Sequence, residues 1–318
     1  MLFRSKNSLS YYEQALSLDK EQPLVWYNMG IACLKCRKFK EANKCFDEAI
    51  KRNNNYAQAW CNKGLALDRD ENFEEAMISY EHAISLKRDY IEALILKGHA
   101  LSAMNKIVDA IKCFQEAVDI NPDYAEAWIS KGLSHGIIGE VNVAVECLEK
   151  ATVLEPKNPK AWYHRGFINR KMLKYWEAAR CFYEATRLDQ NYDEAWLQQG
   201  IVLGRLQVHF EALKCFDAVL RTKPYSVSAY YNKAIAFSKL KDKKEALKCL
   251  DEAIRIKPDF ADAWFNKSCY LSMLNSKGEM LESLAKAIQL DDKYKELATS
   301  DEDFKAYWDD PDFKKLVE

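Results

Sequence analysis

The chain repeats itself every 34 residues. Trp26, Trp60, Leu94, Trp128, Trp162, Trp196, Tyr230 and Trp264 mark eight copies in unbroken phase. Four residues after each comes a small side chain: Gly30, Gly64, Gly98, Gly132, Gly166 and Gly200, then Ala234 and Ser268. Further on lies an alanine column (Ala42, Ala76, Ala110, Ala144, Ala178, Ala212, Ala246, ending in Met280), followed by a bulky apolar column (Phe46, Tyr80, Phe114, Leu148, Phe182, Phe216, Leu250, Leu284). A second alanine column (Ala49, Ala83, Ala117, Ala151, Ala185, Ala253, Ala287) is broken once, by Val219. Self-similarity at this period commits a chain to a stack of like supersecondary units and directs the search for function to a surface.

The unit can be read from its own residues. In Ala57 to Tyr90, Trp60, Leu65 and Leu67, then Ala76, Tyr80, Ala83 and Ile84, follow helical spacing in two blocks. The break at Asp70-Glu71-Asn72 is polar and short enough to join antiparallel helices. A glycine facing an alanine lets two helix axes approach, with the neighbouring aromatic filling the gap to the next unit. One such unit cannot bury its apolar face alone, so stacking is compulsory. Pro122, Pro156, Pro224 and Pro258 fall just past the second block, where the chain must stop being helical. In period and residue order residues 23–294 resemble the tetratricopeptide repeat family. That resemblance implies an all-α, right-handed superhelical solenoid of antiparallel helix pairs.

A length of 318 residues is enough for two ordinary domains, but the unbroken phase predicts one continuous solenoid. Its units are 23–56, 57–90, 91–124, 125–158, 159–192, 193–226, 227–260 and 261–294. Residues 1–22 read as a half repeat or capping helix, with Tyr12 and Ala15 one period before Phe46 and Ala49. Residues 295–318, with Phe304, Tyr307, Trp308, Phe313 and Leu316, read as two short amphipathic capping helices, the second starting at Asp310-Pro311.

The formal net charge of -1 gives no overall pull toward nucleic acid or anionic membrane, so any charged partner must be met by a local patch. No stretch approaches the roughly 20 apolar residues of a membrane span, and the start lacks a leader's apolar run. The chain reads as soluble and cytoplasmic. Six of the ten cysteines (Cys45, Cys113, Cys147, Cys181, Cys215, Cys249) share one column beside the bulky residue, which marks them as small packing residues with reduced thiols.

Catalytic and metal chemistry find no motif. Cys33 and Cys36 form the one Cys-x-x-Cys, and no second pair follows to complete a zinc site. His82, His99, His135, His164 and His209 occupy five different positions in the repeat. No nucleophile elbow, Walker-type loop or dinucleotide fingerprint is present. The expectation is a chain with no enzyme activity, no metal and no cofactor. A basic column, Lys63, Lys97, Lys131, Arg165, Lys233 and Lys267, is expected to pair with acids opening the second helices: Glu41, Glu75, Asp109, Glu177, Glu211, Glu245 and Glu279. Lys131 is expected to lack such a partner, because Val143 replaces the acid in its unit.

The resemblance implies that first helices line a concave groove. There the column Asn28, Asn62, Leu96, Ser130, His164, Gln198, Asn232 and Asn266 resembles the asparagine ladder in the repeats of the glycosyltransferase that modifies serine and threonine with N-acetylglucosamine. An asparagine amide matches the C=O and N–H of an extended peptide without reading its side chains. Beside it, Tyr27, Tyr163, Tyr231 and Phe265 are candidate side-chain selectors. A two-carboxylate clamp, as in chaperone-tail binders of the family, is not expected, since its matching positions are apolar (Tyr27 and Ile31, Cys61 and Leu65). The expected function is a scaffold for an extended or helical protein segment. The rivals are the repeat portion of a larger enzyme, such as a glycosyltransferase, and self-assembly through an N-terminal helix exposing Tyr11, Tyr12 and Leu16.

Overall fold

Each repeat folds as a helical hairpin in the computed structural model, which describes residues 2–318, with side chains from Leu9 onward apart from Ser10. After α1 (Leu2–Leu18), the first helices are α2 (Pro23–Lys35), α4 (Ala57–Arg69), α6 (Ile91–Ala103), α8 (Ala125–Ile137), α10 (Pro159–Lys171), α12 (Asp193–Arg205), α14 (Val227–Lys239) and α16 (Ala261–Met273). The second helices are α3 (Phe39–Arg52), α5 (Phe73–Leu86), α7 (Ile107–Ile120), α9 (Val141–Leu154), α11 (Tyr175–Leu188), α13 (His209–Thr222), α15 (Lys243–Ile256) and α17 (Lys277–Leu290). No strand occurs among the described residues, and none of their helices is long and apolar enough to cross a membrane.

Contacts group the chain into two compact units, Met1–Pro156 and Lys157–Glu318. Within each, every hairpin packs chiefly on its neighbours in sequence, as a repeat stack requires.

The turn inside every hairpin is the same device. The first helix ends in one left-handed residue, at Arg37, Glu71, Asn105, Gly139, Leu173, Gln207, Lys241 and Asn275. The amide after it bonds back five residues, as Asn72 N–H does to the Leu67 carbonyl at 2.9 Å. This pattern closes off helix carbonyls at a C-terminus. Gly139 is the one glycine among the eight, so seven turns hold a side chain in a conformation that disfavours it.

The bulky column is the core of each hairpin, with Phe46, Tyr80, Leu148, Phe182, Leu250 and Leu284 all fully buried. Burying one such side chain contributes about 1.5–3 kcal/mol. The glycine column faces this bulky column, and at Gly132 the Ala144 backbone as well. A Cβ on Gly98 would lie 2.4 Å from Phe114 Cε1, so the ring occupies the space the glycine leaves. The tryptophans tie each unit to the linker before it. Trp60 Nε1–H donates to the Asn54 carbonyl at 3.0 Å, and Trp128, Trp196 and Trp264 repeat the bond to Pro122, Gln190 and Pro258.

The two ends are closed differently. α1 packs on α2, and its Leu16 is buried, not exposed as expected, while Tyr11 stays in solvent. The other end has three elements where two were expected: α18 (Lys293–Ser300), a 3-10 helix (Glu302–Tyr307) and α19 (Pro311–Val317). Phe304 and Phe313 are buried against each other, and Phe304 lies on Phe265. Asp310 caps α19 by accepting from the Asp312 and Phe313 amides, with Pro311 in the first turn.

Candidate functional site

The first-helix column forms rungs within each unit. In the first unit the Asn62 amide donates to the Tyr27 hydroxyl at 3.2 Å and to its own helix at Gln58. In the second, the Asn266 amide donates to Tyr231 at 2.9 Å. Each pair joins a tyrosine to the asparagine one period and one residue later. The bond uses the amide N–H and leaves the asparagine oxygen as an acceptor and the tyrosine O–H as a donor. Burial pushes the Tyr231 hydroxyl up to about 12 and raises Tyr27 and Tyr163, so all three stay protonated donors near neutral pH.

The other positions differ. Asn28 makes no hydrogen bond among the described residues, and Asn232 donates to Ser228 of its own helix. Gln198 keeps a buried Oε1 with no partner. Ser130 is buried and approaches His99 Nε2 at 3.4 Å. His164 packs edge-on against Tyr163, and burial pulls its pKa down to about 4, so it is neutral at pH 7.

The tyrosine rings also hold the frame: Tyr27 packs on Tyr56, Tyr163 on Tyr192 and Tyr231 on Phe260. Phe265 is corrected outright. It is buried, stacked on Tyr294 at 4.8 Å and against Phe304, because the C-terminal cap covers it, so it selects no partner side chain. Sequence reasoning missed a cavity of about 230 Å³ beside the second-unit column, lined by Gly204, Arg205, His209, Asn232 and Lys239 among others. Gly204 was the available signal: a Cβ there meets nothing within 4 Å.

The basic column pairs, but not with the expected acids. Lys63 meets Asp47, Lys97 meets Glu81, Lys233 meets Asp217 and Lys267 meets Asp251, at 2.6–3.0 Å. Lys131, expected to stand alone, bonds Gln115. Each partner lies on the second helix of the preceding repeat, sixteen residues back. The residue just after the bulky core position faces the next hairpin and meets its cation there. The cations also lie over the tryptophans, with Lys63, Lys131, Arg165 and Lys267 within 5.6 Å of their ring centres.

The cysteine column is buried, and all ten thiols are free. The Cys33 thiol bonds Cys45 across its hairpin rather than Cys36. Among the described residues one group has metal-ligand proximity, Cys269, Asp301 and Asp303. Its atoms already hold the cap: Cys269 Sγ–H donates to Asp301, Asp301 accepts from the Asp303 amide, and the Asp303 carbonyl accepts from Ser272.

Models described as tetratricopeptide repeat match residues 23–56, 57–90, 91–124, 125–158 and 227–260, more than half of the chain. No match was found among the curated proteins. Among solved structures, YrrB, described as a tetratricopeptide repeat protein with an unusual peptide-binding site, is 26% identical with a TM-score of 0.53, covering 59% of this chain and 97% of that one. A chain of the APC/C hetero-tetramer Cut9–Hcn1 is 16% identical with a TM-score of 0.59, covering 82% of this chain and 52% of that one. PilF of Pseudomonas aeruginosa is 16% identical with a TM-score of 0.57, covering 64% of this chain and 92% of its own. The last two share the fold.

Proposed function

Because the chain belongs to the tetratricopeptide repeat family, we propose that it is a non-enzymatic scaffold whose first helices hold an extended or helical protein segment. The observation that carries this reading is the tyrosine–asparagine rung. Tyr27 with Asn62, and Tyr231 with Asn266, each present one fixed donor and one fixed acceptor. These match the C=O and N–H of a peptide backbone. Because each asparagine is already tethered, little rotamer freedom is lost when it binds. Asn28 and Asn232 extend the column with free oxygens. Tyr163 and His164 add a neutral aromatic surface.

The test replaces Asn28, Asn62, Asn232 and Asn266 together by alanine and compares proteins captured by the wild type and the variant. The expected result is a partner retained by the wild type and lost from a variant whose thermal unfolding and helicity are unchanged. A partner held equally by both removes the rungs as the binding device.

A further inference from the structure

Trp196 is the one tryptophan of its column that no cation covers among the described residues. Arg52, Lys63, Lys131, Arg165 and Lys267 lie over Trp26, Trp60, Trp128, Trp162 and Trp264. Three residues after Trp196 the basic column holds Gln199 instead, buried and accepting from Thr186 Oγ1 at 3.1 Å. The matching acid on the preceding second helix is replaced as well, by Tyr183, which is 53% exposed. The break in the columns opens a cavity of about 510 Å³ walled by Tyr183, Thr186 and Trp196 and rimmed by Arg187 and Arg221. The equivalent site in the first unit, where Lys97 bridges to Glu81, encloses about 340 Å³.

The surroundings combine exposed rings with an excess of cations over acids. Trp176, Arg180, Tyr183 and Arg187 fall at helical spacing along one stripe of α11, and Phe210, Lys214, Asp217 and Arg221 do so along α13. Trp176 is 66% and Phe210 67% exposed. Arg187 is paired with Glu184 and Asp217 with Lys233, but Arg180, Lys214 and Arg221 make no ion pair among the described residues. Residues 157–250 hold 18 Lys and Arg against 9 Asp and Glu, inside a chain that is nearly neutral.

We propose that this second-helix face docks an acidic protein segment that inserts an apolar or aromatic side chain against Trp196 and Tyr183. The two rim arginines keep a further cation from the uncovered indole, and Arg221, with no acid partner among the described residues, attracts a carboxylate beside the anchor. A flat indole and a phenol ring favour an apolar or aromatic anchor. A nucleic acid fits less well, because Glu177, Glu184, Glu194 and Asp217 stand among the cations where a phosphate backbone carries charge at every nucleotide.

The probe is a fluorescein-labelled dodecapeptide of Glu and Asp with one central Phe, measured by fluorescence anisotropy on the full chain. Controls carry Lys at every acid, Ala for the Phe, or a uridine dodecanucleotide in place of the peptide. Saturable, salt-sensitive binding of the acidic Phe peptide is expected, weakened by roughly tenfold or more in Arg221→Glu. The paired substitution Tyr183→Asp with Gln199→Lys rebuilds the ion pair and covers the indole as in the other repeats. It is expected to fold and to weaken the probe by a similar factor. The four-asparagine variant is expected to bind it unchanged, which separates this face from the rungs.

Four results overturn the proposal: no binding up to about 1 mM, equal binding by the paired variant, tighter binding of the uridine oligonucleotide, or sedimentation as a wild-type dimer that the paired variant abolishes. The last would assign the face to a second copy of this chain.

Discussion

The two units use one frame and finish it differently. Each carries a tyrosine–asparagine rung on its first helices, at Tyr27–Asn62 and at Tyr231–Asn266. On the second-helix side the first unit keeps its inter-repeat bonds unbroken through Lys63, Lys97 and Lys131, while the second interrupts them at Gln199. Residues 1–156 hold 19 basic against 23 acidic residues, and residues 157–318 hold 28 against 25. The difference shows which layer of a repeat is free to vary. Core columns must match their neighbours to stack, whereas an inter-repeat ion pair contributes only about 0–1 kcal/mol and can be replaced by a recognition surface at small cost.

The comparison breaks most readily at the cap. Phe304→Ala is expected to destabilise the second unit by about 3–5 kcal/mol, since the ring is fully buried among Phe265 and Phe313. Phe46→Ala should cost the first unit a similar amount, because its ring fills the space beside Gly30. Hydrogen exchange separates the two: the first substitution should release amides of α16 and α17, the second those of α2 to α4. Release across the whole chain by either one would mean that the units unfold together.

Acid should act on both units through buried imidazoles, with the larger effect at His164. Its pKa falls from 6.5 to about 4 on folding, because burial penalises the charged ring. Between those values the unfolded chain binds the proton and the folded chain does not. Stability is therefore complete above pH 6.5 and declines as the pH falls toward 4, by roughly 2–4 kcal/mol for this group. His99, in the first unit, shifts in the same direction for the same reason. Urea unfolding at pH 7 and pH 5 should show a smaller loss in His164→Gln than in the wild type, and an equal loss would assign the acid sensitivity elsewhere.

What the sequence made legible follows from what repeats. Helix pairs, the buried cysteine column and the asparagine column rest on spacing, and spacing survives in a single sequence. Contacts between repeats do not. The basic column faces Asp47, Glu81, Asp217 and Asp251 because side-chain direction, not register alone, decides which turn of the preceding helix it meets. Phe265 occupies the first-helix aromatic column but is covered by the cap, whose fold has no periodic signal. The cavity beside Trp196 was written in the sequence as two paired departures, Tyr183 and Gln199. Their meaning required knowing that those columns touch.

The hairpin turns allow opposite substitutions in the two units. Leu173 holds φ at 59° and is 69% exposed, so Leu173→Gly removes strain and little burial. A gain of about 1 kcal/mol is expected in the second unit. Gly139 holds φ at 87° with open space where a Cβ would stand, so Gly139→Ala should cost the first unit about as much through backbone strain alone. Thermal unfolding reads both, and two changes of the same sign would mean that the turns are not the common device their hydrogen bonds indicate.

The smallest expected effect gives the most direct measure of how the units differ. Lys63→Ala removes the Asp47 pair and uncovers Trp60, and both groups are partly exposed, so a loss of about 0.5–1 kcal/mol is expected. Rebuilding the pair in the second unit, by Tyr183→Asp with Gln199→Lys, should add stability of the same size, provided that the buried Gln199 bond to Thr186 contributes little. A rebuilt pair that destabilises instead would mean that Gln199 is a packing residue in its own right. The open indole at Trp196 would then be a consequence of that packing, and the second-helix face would owe its shape to the core and not to a partner.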